Sequence, residues 1–230
     1  MFNINNINIR MSKLINESVK KIDIVENMLG ENYPASFDKE EFKNLTFIKK
    51  RLEYCDTHLK RISSGSSRTV YRIDDQKVLK LAHNKKGLAQ NEVEIRYSED
   101  ADLDNIVAKV FDYNEDNLWI EMELAEKLTA EKFKEVSGFK WKDYVGAINN
   151  HSYNVTRSGY EMPENKLATK AMWEEQFTHD MFDYMIGYEV PVGDLTRLSS
   201  YGIVKREGSD SIIMVDYGLT KEVFNKHYSK

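Results

Sequence analysis

An apolar run, Ile212-Ile213-Met214-Val215, stops at Asp216-Tyr217-Gly218-Leu219. A strand that ends in this way presents a carboxylate where burial ceases, and Gly218 frees the backbone to turn beyond it. An oxygen donor so placed suits a hard cation such as Mg²⁺ that bridges nucleotide phosphates. Asp-Tyr-Gly alone is a common strand-ending turn. Here it is preceded by a hairpin, Tyr201 to Lys205 and Ser211 to Val215 around Glu207-Gly208-Ser209-Asp210, and by Val192-Gly193-Asp194-Leu195, which adds a second aspartate.

Three more features lie upstream. In Ser63-Ser64-Gly65-Ser66-Ser67-Arg68-Thr69-Val70-Tyr71, small residues at a strand turn let backbone N–H groups approach phosphate oxygens. The same stretch also reads as an ordinary Ser/Gly loop. Lys80 interrupts the apolar strand Val78-Leu79-Lys80-Leu81. A buried lysine is costly without a partner, so either a carboxylate meets it or the strand is an edge with Lys80 in water. The next helical segment, Gln90-Asn91-Glu92-Val93-Glu94-Ile95, offers two carboxylates. Two residues apart on a helix, they point roughly opposite ways. Glu94 is the first choice for the lysine and Glu92 the reserve.

The elements that must position these residues follow from periodicity. Apolar positions from Leu14 to Leu29 predict a helix stopped by Gly30, and Asp38 to Ile62 predicts a second, acidic at its start and basic at Lys60-Arg61. Thr69–Ile73 and Lys77–Leu81 predict a hairpin, Leu88–Tyr97 a helix, and Ile106–Tyr113 with Asn117–Leu124 two more strands. Lys132–Val136, Trp141–Asn149, one long helix over Lys166–Ile186, and Lys221–His227 complete the expected set.

Composition narrows the function classes. The chain has 230 residues, 41% of them apolar, enough for one core or two small lobes. A net charge of -5 argues against nucleic acid or an anionic membrane as the main partner. The single cysteine, Cys55, permits no internal disulfide and points to a reducing compartment. No apolar run approaches the roughly 18 residues of a membrane span. The expectation is a cytoplasmic location with no membrane and no nucleic-acid partner.

Taken in order, these parts resemble the protein-kinase-like superfamily over roughly Ile62 to Tyr228. The phosphate loop corresponds to Gly65 and Ser66, with serine and Arg68 where two further glycines would stand, and Val70 is the valine over adenine. The resemblance implies that Lys80 binds phosphates, that Glu94 holds it, that Asp194 is the catalytic-loop base, and that Asp216 is a metal ligand. Ser199 or Ser200, depending on alignment, stands where a second metal ligand would be, and Val192 replaces the catalytic-loop histidine. Gly193-Asp194-Leu195 is closer to the aminoglycoside and choline kinase type than to the His-Arg-Asp type. The implied cofactors are ATP and Mg²⁺. The implied fold is α+β and two-lobed: an N-terminal helical extension over 1–61, a β-rich N-lobe over 62–125, and a truncated helical C-lobe over 126–230, with eleven residues after Leu219. Small kinase-like proteins of tailed bacteriophages end in a similar Asp-Tyr-Gly-Leu-Thr and a short helix. Two functions stay open: phosphoryl transfer to a protein or small-molecule hydroxyl, and an inactive pseudokinase acting as an interaction module.

Leu14-Ile15-Asn16-Glu17-Ser18 resembles the head-targeting N-termini of proteins packaged in T4-like phage capsids, which are cut after Ile/Leu-x-Glu. Short motifs of this kind match by chance, and the first turn of an amphipathic helix is the favoured reading of the segment. A host or virion protein is then an expected partner. Cys55, His151 and His179 lack companions for catalysis or metal binding, Trp119, Trp141 and Trp173 read as packing residues, and Lys49-Lys50-Arg51 reads as a solvated helix face.

Overall fold

The computed structural model describes residues 33–156, 167–188, 190–206 and 208–229. The expected first helix and the Ile15-Asn16-Glu17 sequence lie outside them.

The second expected helix is two helices and a strand. Asp38 caps α1 (Lys39–Asn44) by accepting from the Glu40 and Glu41 N–H groups, and α2 (Ile48–His58) follows a break at Leu45. Lys60 and Arg61, read as a basic last turn, instead open strand β1 (Lys60–Ser64). The reason is pairing: β1 runs antiparallel to β2 (Arg68–Arg72) and forms an exposed edge whose charges suit that position. Strand β3 (Lys77–Ala82) pairs with β2 and with β5 (Trp119–Glu123), and β5 pairs with β4 (Val110–Tyr113). The antiparallel order is β1-β2-β3-β5-β4. Strand β3 is therefore central, and Lys80 does not lie on an edge.

Helix α3 (Lys85–Ser98) connects β3 to β4, and the Asn84 carboxamide caps it by accepting from the Lys86 and Gly87 N–H groups. The two faces of the sheet have different covers. Val78, Ile120 and Met122 belong to the main core together with Ile95, Phe133, Tyr144, Phe182 and Met214. On the opposite face, Phe42 of α1 meets the Trp119 ring at 5.9 Å, and Lys39 pairs with Asp112 and buried Glu121, each at 2.9 Å. Tyr71 Oη donates to Asp56 of α2 at 2.9 Å. Helices α1 and α2 thus brace the back of the sheet. Arg51 departs from the solvated-face reading: it is buried and donates to the Lys43 carbonyl.

A second sheet orders β6 (Glu126–Lys127), β7 (Tyr201–Arg206) and β8 (Ser209–Met214). Against it lie α4 (Ala130–Ser137), α5 (Trp141–Thr156) and α7 (Gln176–Gly187), through Lys132 on Asp210 and through Tyr144 and Phe177 on Tyr201, while Trp173 of α6 (Leu167–Glu174) packs on His151 of α5 and Phe182 of α7. The expected single helix over 166–186 is split at Glu175. Its carboxylate accepts from the N–H groups of Phe177 and Thr178, and so starts a new helix rather than continuing the old one. Short helix α8 (Val192–Leu195) and a 3-10 turn at Leu198–Ser200 precede β7, and α9 (Lys221–His227) follows β8. Among the described residues, no helix is long and apolar enough to cross a membrane.

The fold is α+β. It joins a five-stranded antiparallel sheet, with one helix inserted after its central strand, to a mainly helical layer.

Candidate functional site

Alternation along β3 puts Lys80 on the same face as Val78 and opposite Val70 of β2 and Ile120 of β5. That face looks toward α3. Lys80 Nζ donates to both Glu94 carboxylate oxygens, at 3.1 and 3.0 Å, and to the Val215 carbonyl at 2.6 Å. Both side chains are buried, Glu94 completely, whereas Glu92 is exposed. The structure therefore brings together the first-choice pair. Through Val215 it also ties Lys80 to the residue just before Asp216.

Asp216 leaves β8 at a turn whose backbone is closely packed. A Cβ on Gly218 would lie 2.5 Å from the Gln90 carbonyl oxygen of α3, which only glycine allows. Tyr217 is buried beneath α3, and its hydroxyl donates to the Ala108 carbonyl at 2.6 Å. The aspartate is thus aimed by a tyrosine anchor on one side and a glycine contact on the other.

Arg68 closes the cluster. The guanidinium donates through Nη1 to Glu94 Oε2 at 2.7 Å and to Asn91 Oδ1 at 3.2 Å. Through Nη2 it donates to Glu94 Oε1 at 2.9 Å and to Asp216 Oδ1 at 2.6 Å. It is buried, while the Asp216 side chain remains 59% exposed at the mouth of the cluster. The expectation treated Arg68 only as a replaced loop glycine. One sequence signal did exist: Arg68 has the same strand parity as Val70, so it shares the face that carries Lys80.

The loop before Arg68 is folded down onto α3. Ser67 Oγ donates to Gln90 Oε1 at 2.7 Å, the Asn84 amide donates to the Ser66 carbonyl at 2.9 Å, and a Cβ on Gly87 would meet the Ser67 carbonyl at 2.3 Å. Gly65 N–H is used within the hairpin, donating to the Arg68 carbonyl at 2.8 Å. Gly65 and Ser66 are exposed and Val70 is half-buried.

Asp194 sits on α8 with its carboxylate 3.5 Å from Arg197 Nη1. Burial raises its pKa, and the nearby negative charge of Asp216 raises it further. Asp216 moves the other way: burial opposes its charge, but Arg68, Lys80 and Arg197 outweigh burial and hold it below the usual aspartate value. Burial also depresses the Lys80 ammonium, against the pull of Glu94. Burial works against the Arg68 charge as well, but Glu94 and Asp216 raise its pKa overall. Ser199 is exposed on the 3-10 turn, and the neighbouring Ser200 carbonyl accepts the Val215 N–H at 2.8 Å.

A magnesium ion does not fit this donor set as arranged. Asp216 already holds a cation in Arg68, and among the described residues no three acidic, histidine or cysteine side chains converge on a cation position. Cys55 is buried with its thiol pushed up to about 12, consistent with a packing role.

No family model and no curated protein matches the chain. Solved structures do. The ternary complex of aminoglycoside phosphotransferase APH(2")-IIa with streptomycin and ATP is 16% identical, over 79% of this chain and 72% of that one, at a TM-score of 0.32. A GDP complex of an aminoglycoside 2'-phosphotransferase-IIIa mutant is 10% identical over 70% and 65%, at 0.36. The kinase domain of Mycobacterium tuberculosis PknI is 13% identical over 70% and 59%, at 0.33. TM-scores this low add nothing to the geometry above.

Proposed function

We propose that this chain is a kinase-like nucleotide-binding protein that takes ATP with its phosphates toward Lys80 and its adenine against Val70. The observation that carries this reading is the buried Lys80–Glu94 ion pair, tied through the Val215 carbonyl to the strand that ends at Asp216. That pair is the feature a kinase-like site needs to orient phosphates. The test is thermal denaturation with ATP. A ligand at 100 times its Kd stabilises by about 2.7 kcal/mol, which raises the Tm of a chain of this size by roughly 5–11 °C. Lys80→Met should abolish the shift. No shift in the wild type at millimolar ATP refutes the reading.

The finer reading is transfer to a hydroxyl of a protein or small molecule. Asp194 would accept the hydroxyl proton, and the raised pKa of its carboxyl suits that role. Labelled ATP incubated with the protein and a host extract tests it. No incorporation, under conditions where nucleotide binding is measured, rules it out.

A second reading is a pseudokinase that serves as an interaction module. It is favoured by the Arg68–Asp216 ion pair at 2.6 Å, which sets a cation of the chain on the carboxylate that would hold a metal. It predicts that Asp194→Ala leaves the biological activity intact in a folded protein. For location, we propose a phage protein acting in the host cytoplasm or packaged in the virion, on the strength of Ile15-Asn16-Glu17 before Ser18. Mass spectrometry of particles should find a chain that begins at Ser18. An intact N-terminus there, or no such protein in particles, would refute packaging.

A further inference from the structure

The carboxylate that a kinase-like site would offer to a divalent cation is here held by a cation of the chain itself. Arg68 reaches Asp216 across 148 positions of sequence and simultaneously caps both oxygens of Glu94. Its two terminal nitrogens carry four N–H groups, and four acceptor contacts meet them: Glu94 Oε2, Asn91 Oδ1, Glu94 Oε1 and Asp216 Oδ1. The guanidinium is positioned from outside as well. Asn91, which accepts from it, itself donates to the Asn117 carbonyl at 2.9 Å. Arg68 is therefore held in place by several contacts and is not a surface side chain that happened to fold inward.

The charge balance gives this arrangement a consequence. Arg68 and Lys80 face Glu94 and Asp216, while Asp194 pairs with Arg197, so the cluster is neutral as it stands. Without Arg68 the same groups carry one net negative charge, with Asp216 exposed at the mouth. A hard divalent cation needs several oxygen donors with unbalanced negative charge. We propose that Arg68 takes the place of a divalent cation at Asp216 and excludes metal from it, so that any nucleotide this site takes is taken without a protein-held metal. The link to nucleotide rests on the function proposed above. The exclusion of metal does not, and it can be tested without nucleotide.

The experiment is Mn²⁺ titration followed by electron paramagnetic resonance, on wild type, Asp216→Asn and Arg68→Gln. Wild type and Asp216→Asn should bind the same number of Mn²⁺ ions, because Asp216 holds none. Arg68→Gln keeps amide donors near Asn91 but removes the charge, and it should gain one site that the added substitution Asp216→Asn removes. A wild-type site lost in Asp216→Asn overturns the proposal, and this comparison stands even if Arg68→Gln fails to fold. A folded Arg68→Gln with no gained site overturns it too. If ATP fails to bind to any variant, the nucleotide reading falls while the Mn²⁺ result still decides the role of Arg68.

Discussion

Replacing Glu94 with glutamine is the sharpest perturbation of the site, because it changes charge and almost nothing else. Glu94 is fully buried and is contacted by Lys80 at 3.0 and 3.1 Å and by Arg68 at 2.7 and 2.9 Å. Glutamine keeps the shape and one acceptor oxygen, but its amide nitrogen points donor to donor at one of the two cations. Lys80 and Arg68 are then buried side by side with only Asp216 to balance them. Burial already disfavours the charge on both cations. Removing one member of a buried ion pair costs about 3–5 kcal/mol, most of it from the charge left uncompensated. For a chain of this size that is a Tm lowered by roughly 6–20 °C. Urea denaturation followed by far-UV circular dichroism measures it. A loss under about 1 kcal/mol, the range of an exposed ion pair, would show that water reaches the cluster and that the geometry does not carry the energy assigned to it. Adding Lys80→Met to Glu94→Gln should recover part of the loss, since the cation that lacks a partner is then removed.

Three further outcomes follow from the same structure. Asp194→Asn should stabilise the protein at neutral pH: the folded pKa is raised above the ordinary 3.8, so its carboxylate costs stability above that value, and the gain should vanish as pH falls below about 3.8. Matched urea titrations at pH 7 and at acid pH check the sign, and a gain that persists in acid would refute it. Gly218→Ala should cost about 1–3 kcal/mol, because its Cβ would stand 2.5 Å from the Gln90 carbonyl and backbone must move to admit it; an unchanged urea midpoint would show that the turn and α3 are not in close contact. Phe42→Ala should cost about 3–5 kcal/mol by leaving a cavity against Trp119, and the Trp119 emission should shift to the red as the back of the sheet opens to water.

Much of the site was legible because its parts are local patterns. A lysine inside an apolar strand, a helix with two glutamates of opposite facing, and an apolar strand ending in Asp-Tyr-Gly each occupy a few residues. The misreadings were of two kinds. At Glu175 the signal was present in the sequence, since a carboxylate that accepts from the N–H groups two and three residues ahead starts a helix, but continuous apolar spacing on both sides hid it. At Lys60-Arg61 the local evidence fitted a helix end well, and only pairing with β2 made the segment a strand.

By itself, then, the sequence determined that Lys80 interrupts an apolar strand and needs either a carboxylate or an edge position, that Glu94 and Glu92 cannot both meet it, and that an apolar run ends at Asp216. Periodicity and the cost of burying charge are properties of short stretches, so they can be read without a fold. The tertiary structure decided which glutamate faces inward, that β3 is central, and that Arg68 lies on Asp216. That last contact joins residues 148 positions apart through a flexible side chain. Nothing in the order of residues specifies such a distance; only the packing of the segment after β8 against α3, with Gly218 at Gln90 and Tyr217 Oη donating to the Glu94 carbonyl, brings the guanidinium and the carboxylate within reach.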